Sequence, residues 1–285
     1  MIRFVNAKIN LGLRVLRKRP DGYHDLSTVF YPVGRYAGTP QDPGRLADTL
    51  EITPSDTDSL QVYGDTVDCP TEKNLVWKAL QLFRSELSGS DCPPVQISLD
   101  KHLPSQAGLG GGSADASFTL LMLNELVGEP YNEEELLKMA LQLGADCPFF
   151  ILNRPCIANG VGERLTPIDL DLSGMWALIL KPDEGISTRE AFANITPGVP
   201  NISVEEVIRR PITEWKELLV NDFETSMFAI HTDLRAIKEY LYSTGALYAS
   251  MSGSGSAFYG LYPTESAALA ALGTAPTPYV TVARL

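Results

Sequence analysis

The chain has 285 residues, 44% of them apolar and 20% charged, the balance of a globular protein with room for two domains that each bury a core, or for one fused domain. A formal net charge of -12 argues against a nucleic-acid partner, which needs a basic face to neutralise phosphates. Small anionic ligands stay open, because backbone N–H groups and one or two local cations can hold them whatever the global charge.

No apolar run approaches the roughly 18 residues that span a bilayer, and the start "MIRFVNAKIN" shows no secretory signal. A cytoplasmic protein with no membrane contact and no obligate protein partner is expected. Four scattered cysteines and three lone histidines indicate neither a disulfide framework nor a zinc site.

In chain order, Ile9, Leu11, Leu13 and Val15 fall on one face of a period-two pattern, with Lys8, Asn10, Gly12 and Arg14 on the other. This predicts a strand with one polar face. Pro20, Asp21 and Gly22 in "RPDGYH" signal a turn that delivers Tyr23 and His24 to a second strand, "LSTVFYPV". Residues 34–47, rich in Gly and Pro, read as an exposed loop before the strand "TLEIT". Helical spacing at 74–86 places Leu75, Ala79, Leu80, Leu82 and Phe83 on one side, and "PVQISLDK" alternates as a strand.

Residues 113–126 are apolar nearly all round, which predicts a helix buried between layers. The next helix runs from its N-cap Asn132, followed by three glutamates, to its C-cap Gly144. "CIANGVGERLTPI" predicts a hairpin turning at residues 160–162.

Beyond about Trp176 the order changes. The strand "WALILK" leads to helices announced by capping boxes, Ser187 with Glu190 and Ser203 with Glu206. Further helical stretches are predicted near 213–220, 223–230 and 232–243. The strands "ALYASM" and "SAFYGLY" flank "SGSGS", and a helix from Glu265 and the strand "YVTVARL" come after them. Strand, helices, strand, strand, helix, strand is the order of a split βαβ or ferredoxin-like sandwich.

Between the strand at 94–101 and the helix at 113–126 runs "PSQAGLGGGSADAS", in which residues 108, 110, 111 and 112 are glycine. A helix N-terminus has unpaired N–H groups and a partial positive charge, and glycine lets the backbone approach an anion closely. The generic fingerprints fail, however. A Walker loop needs Gly-Lys-Ser/Thr where this chain has Gly-Ser-Ala, and Ser113 stands where a dinucleotide motif has its last glycine. On spacing alone, an anion cradle and a tight strand-to-helix connection both stand.

The full pattern from Pro104 to Ser117 resembles the second motif of the GHMP small-molecule kinases. Further matches come in family order: "AKINLGLRVLRKRPDGYHDLSTVF", "LGADCPFF", "GVGERLTPI" and "MSGSGSAFYGLY". The resemblance spans nearly the whole chain, and "RPDGYH" is its most discriminating piece.

The resemblance implies an α/β (α+β) two-domain GHMP kinase fold. Residues 1–170 would form a ribosomal protein S5 domain 2-like ATP-binding domain, and residues 171–285 a ferredoxin-like domain that contributes to the substrate site. ATP, with Mg2+, would give its γ-phosphate to a hydroxyl of a small molecule carrying a cytidine diphosphate group. Two alternatives remain: a GHMP kinase of homoserine or mevalonate type, and a non-catalytic binding protein on the same fold. The second sits poorly with Lys8, Asp146 and the glycine loop in one chain.

By the same resemblance, Asp146 is the catalytic base, although an Asp before "CPFF" also reads as an N-cap. Lys8 matches the catalytic lysine, which would offset transition-state charge; alone it reads as a solvated strand lysine. Asn10 lies about 6.6 Å along the same face and is implied to bind substrate. Tyr23 and His24 match a pair that recognises the cytosine ring, and Thr188 and Phe192 match a second aromatic wall from the other domain. "GISTREAF" departs there from the commoner family form, which has a proline.

Asn74 and Lys101 are placed near the adenine, with Pro104, Gly108, Leu109, Gly110, Gly111, Gly112 and Ser113 around the phosphates. Asn74 also reads as a helix cap and Lys101 as a solvated strand end. Asp115 is expected in the first turn of the loop helix, where its charge suits the dipole by about 0.3–1 kcal/mol. No carboxylate cluster marks a metal site, and Ser113 is the single Mg2+ ligand named.

Overall fold

The computed structural model describes residues 1–34, 46–64, 69–87 and 92–285. Most of the loop expected at 34–47 lies outside the described residues. Seven strands form the first sheet: β1 (Ile2–Lys18), β2 (His24–Val33), β3 (Ala47–Pro54), β4 (Ser59–Gly64), β5 (Val95–Lys101), β6 (Cys156–Gly160) and β7 (Arg164–Pro167). Their order across the sheet is β4, β5, β3, β1, β2, β6, β7. Neighbours are antiparallel except β4 with β5. The sequence reading misses β4, whose "SLQVYG" is exposed along most of its length and alternates only through Leu60 and Val62, too short a pattern to mark a strand.

Helices α1 (Leu75–Glu86), α2 (Gly111–Leu126), α3 (Glu133–Leu143) and α4 (Cys147–Leu152) cover one face of this sheet. The α1 helix starts where the Asn74 side chain accepts the Val76 N–H, and it buries Val76, Ala79, Leu80 and Phe83. A full capping box, Asn132 with Glu135, opens α3. The α2 helix is buried over most of its circumference, as expected of a helix between layers.

The second half contributes α5 (Thr188–Ala193), α6 (Val204–Ile208), α7 (Trp215–Leu218), α8 (Asp222–Ile230), α9 (Thr232–Ser243) and α10 (Glu265–Leu272). Its strands are β8 (Trp176–Lys181), β9 (Tyr248–Met251), β10 (Phe258–Tyr262) and β11 (Tyr279–Arg284), ordered β11, β8, β10, β9. Because β10 is antiparallel to both β8 and β9, those two run parallel with β10 between them. That is the split βαβ arrangement expected from element order.

One feature corrects the sequence reading. The predicted apolar face of β1 breaks at Gly12, where φ is +62 and the register with β2 slips between Leu11 and Leu13. A bulge inserts one residue and re-aims the side chains beyond it. Ile9 and Leu11 therefore pack between the two sheets with Ala177, Ile179 and Tyr259, whereas Leu13 and Val15 join the outer core with Leu178 and Phe258.

Besides one core under α1 to α4 and one on the outer face of the second sheet, a middle core draws residues from both sheets. Each large aliphatic side chain fully buried there contributes about 1.5–3 kcal/mol. The two halves are therefore welded by apolar packing as well as linked by the chain.

Candidate active site

The α2 helix begins at Gly111, two residues earlier than expected, and Gly110 precedes it at φ +76. The bond from Ala114 N–H to the Gly110 carbonyl, 2.9 Å, opens the helical ladder. The N–H groups of Gly111, Gly112 and Ser113 are therefore the ones an α-helix leaves without internal partners. Packing also demands glycine here: a Cβ on Gly110 would lie 2.9 Å from Phe150 Cζ and 3.2 Å from Lys8 Cγ. The loop thus meets the packing need of a tight connection and also leaves first-turn N–H groups free of helical partners. A cavity of about 310 Å³ opens over it, lined by Leu75, Lys101, Leu103 and residues 104–113. Asn74 lies outside this lining and serves as the cap of α1.

A larger cavity of about 710 Å³ adjoins it, and Gln106 and Gly108 line both. Lys8, Asn10, Tyr23, His24, Asp146 and Phe192 all line the larger one. Lys8 is 3% exposed, so it is no solvated strand lysine. Its Nζ donates to Asn10 Oδ1 at 2.6 Å, stands 3.5 Å from Asp146 Oδ2 and lies 4.7 Å from the Phe30 ring centre. Asp146 occupies the N-cap position of α4 with φ -82 and ψ -17, and its side chain caps nothing. The carboxylate is consequently free to face the cavity. Asn10 is committed at both ends, accepting from Lys8 and donating to Thr28 Oγ1 at 3.1 Å.

The "SGSGS" turn closes the other side, with Gly253, Ser254 and Gly255 in the lining. Ser252 Oγ donates to the Gly108 carbonyl at 2.9 Å and accepts the Asn10 N–H at 3.3 Å. Asn221 Nδ2 donates to the Met251 and Gly253 carbonyls at 2.8 and 2.9 Å. Buried Glu224 accepts from Met251 N–H at 2.8 Å and Ser250 Oγ at 3.1 Å. The resemblance brings the turn at Ser252 to Ser256 toward the active site, whereas Asn221 and Glu224 have no role in the sequence reading, although an Asn three positions before a Glu at a helix start is a recognisable signal.

Among the aromatics, Phe192 stacks on the His24 imidazole, with centres 4.8 Å apart and planes at 22°. Phe223 supports it edge-on. Burial, aided by Lys18, lowers the His24 pKa from its ordinary value. Tyr23 precedes the first β2 pair, Lys18 with His24, and stays 65% exposed at the rim. Ser187, rather than Thr188, caps α5 by accepting the Glu190 N–H. Glu190 does not complete a box; its carboxylate meets His231 Nε2 at 2.9 Å. The Thr188 hydroxyl lies 3.4 Å from that of Ser254.

Residues 74–154 match the model of the GHMP kinases N terminal domain, and residues 203–279 that of the GHMP kinases C terminal domain. A protein of Bacteroides thetaiotaomicron named 4-diphosphocytidyl-2-C-methyl-D-erythritol kinase is 52% identical over 269 residues, 93% of each chain. One of the same name from Parabacteroides distasonis is 48% identical over 262 residues, 92% of each chain. The chain belongs to the 4-diphosphocytidyl-2-C-methyl-D-erythritol kinase branch of the GHMP kinases. A crystal structure of 4-(cytidine 5'-diphospho)-2C-methyl-D-erythritol kinase superimposes with a TM-score of 0.82 at 31% identity, covering 100% of both chains. The mevalonate kinase of Methanococcus jannaschii shares the fold, with a TM-score of 0.72 at 12% identity over 100% of this chain and 98% of its own.

In this GHMP kinase two expectations beside the glycine loop change. The Lys101 side chain is only 11% exposed, and its Nζ contacts Asp48 Oδ2 and, at 2.7 Å, Asp115 Oδ2. It is not a solvated strand end. Asp115 is not in the first turn: with α2 starting at Gly111 it is the fifth residue, 2% exposed, and its Oδ1 has no hydrogen-bond partner. Burial pushes its pKa up to about 8, with Lys101 opposing and Asp48 adding to the rise. Burial alone would lower the Lys101 pKa, but Asp115 and Asp48 outweigh it and raise it. The sequence reading gives Asp48 no role, yet its parity with Leu50 and Ile52 marked it as an inward-facing charge.

Proposed function

We propose that this GHMP kinase transfers the γ-phosphate of ATP to the 2-hydroxyl of 4-diphosphocytidyl-2-C-methyl-D-erythritol, in the non-mevalonate route to isoprenoid precursors. The observation that carries the reading is the Lys8–Asp146 pair, 3.5 Å apart, in a cavity that meets the glycine-loop cavity at Gly108. A triphosphate would rest on the first-turn N–H groups of α2. A cytidine would enter the larger cavity between the Tyr23–His24 turn and Phe192. Homoserine and mevalonate have no ring for that aromatic wall to stack on.

Asp146 orients the attacking hydroxyl and accepts its proton as the oxygen bonds to the γ-phosphorus. The bond from that phosphorus to the β–γ bridging oxygen breaks in line, ADP leaves, and no phosphoenzyme forms. Lys8, held by Asn10 and the Phe30 face, offsets the charge that develops on the transferred group. Asn10 acts chiefly by fixing Lys8.

Among the described residues no three carboxylate, imidazole or thiolate side chains cluster. That pattern fits Mg2+ held by the phosphates and water, with the half-buried Ser113 hydroxyl as protein donor, and there it would neutralise phosphate charge.

A domain boundary near residue 170, between β7 and β8, goes with this reading. No helix among the described residues is long and apolar enough to cross a membrane, and a cytoplasmic location, where ATP is supplied, is proposed with the activity.

Turnover on the cytidyl substrate, homoserine and mevalonate tests the assignment; activity only on either of the latter two would overturn it. Asp146→Asn should lower kcat by about 10²–10⁴-fold while calorimetry finds ATP affinity unchanged. Full turnover in that variant would remove the base from Asp146.

A further inference from the structure

The buried Asp48–Lys101–Asp115 cluster does not touch the reacting groups, and a carbon added at Gly111 would stand 3.5 Å from Lys101 Nζ. Three elements meet at that ammonium: β3 through Asp48, the end of β5 through Lys101 itself, and α2 through Asp115. The other oxygen of Asp48 accepts the N–H groups of His102 at 2.6 Å and Leu103 at 2.8 Å. These are the residues by which the chain leaves β5 for the glycine loop. One end of the loop is thus fixed by Asp48 and the other by Asp115, and Lys101 joins the two carboxylates.

We infer that Lys101 is a positioning residue that braces both ends of the glycine loop, serving phosphate binding through the backbone and not reading the nucleotide base. Asp48 and Asp115 hold two of the three Lys101 donors and its side chain is 11% exposed, while its ammonium stands 3.5 Å from a carbon added at Gly111, against the loop backbone. The elevated pKa of Asp115, about 8, agrees with the geometry.

The inference rests on the ATP reading and predicts which half of ATP loses its hold when the brace is cut. Adenosine and inorganic tripolyphosphate are used separately as inhibitors competing with ATP. In Lys101→Met the inhibition constant of tripolyphosphate should rise about tenfold, a loss of about 1.4 kcal/mol, while that of adenosine stays within about twofold. Lys101→Arg keeps the charge opposite both aspartates and covers the case in which the methionine variant fails to fold. Its longer, planar group cannot occupy the same point, so tripolyphosphate should weaken about threefold and adenosine should not. Selective weakening of adenosine in either folded variant would restore a base-reading role and overturn the brace, as would unchanged constants for both ligands. If neither ligand competes with ATP in the unaltered protein, the nucleotide reading itself falls, and the brace with it.

Discussion

Two glycine-rich turns face each other across the site, residues 104–113 and "SGSGS" at 252–256, and similar composition serves different ends in them. The first runs into a 16-residue helix and so presents the unpaired N–H groups of a helix start. The second joins two antiparallel strands, and its carbonyls are held from behind by the buried side chain of Asn221. The element a glycine turn leads into, and the groups that satisfy its backbone, decide whether it offers free N–H donors or forms a fixed wall. The two also constrain each other: a Cβ on Gly108 would lie 2.0 Å from the Ser252 carbonyl oxygen.

Substitutions on the two sides should do unequal damage. The largest effect belongs to the helix-start loop. Gly110→Ala places a methyl group against Phe150 and Lys8, and a displacement of about 1 Å at the reacting geometry costs about a hundredfold in kcat. Steady-state kinetics with normal kcat would show that the loop tolerates side chains and that the contrast fails.

On the other side, Asn221→Ala takes the side-chain donor from the buried Gly253 carbonyl and leaves the Met251 carbonyl with the Ser250 hydroxyl as its side-chain donor, and should cost about 1–3 kcal/mol of stability. It should also raise KM for the cytidyl substrate more than KM for ATP. Urea unfolding and the two KM values check this, and an equal rise in both would make the turn part of the nucleotide site.

The smallest effect is a pH slope. Because the folded state holds a proton on Asp115 that the unfolded chain releases at ordinary carboxylate pH, the protein loses stability as pH rises from about 4 to about 8. Asp115→Asn should lack that slope, gaining relative to the unaltered protein across this range and remaining flat above it. Parallel stability profiles for the two proteins would contradict the raised pKa.

Legibility in the sequence tracked how local each property is. Asn132 and the three glutamates after it announced α3 because a cap and its first turn are adjacent in the chain. The four strands of the second sheet were readable from alternation and turns, and their order came from chain connectivity. Asp146 was ambiguous, since an aspartate at a helix start is a common cap; only backbone dihedrals that leave its side chain uncapped separate the two readings. Lys101 read as exposed because its two partners lie 53 and 14 residues away, beyond the reach of any periodic pattern.

Element types, the helix starts that depend on adjacent caps, the glycines and the kinase family were all set by the amino-acid order, because each is written in neighbouring residues or in a motif. Packing in three dimensions settled the rest. Alternation assigns a side chain to a face but not to a neighbour, so it could place Lys8 and Asn10 together without revealing that Asn10 is spent on holding Lys8. It could not foresee that a bulge at Gly12 would divide one apolar face between two cores, or that two buried aspartates would claim Lys101. Those outcomes depend on which surfaces meet, and a buried charge takes whatever opposite charge the packing brings within reach.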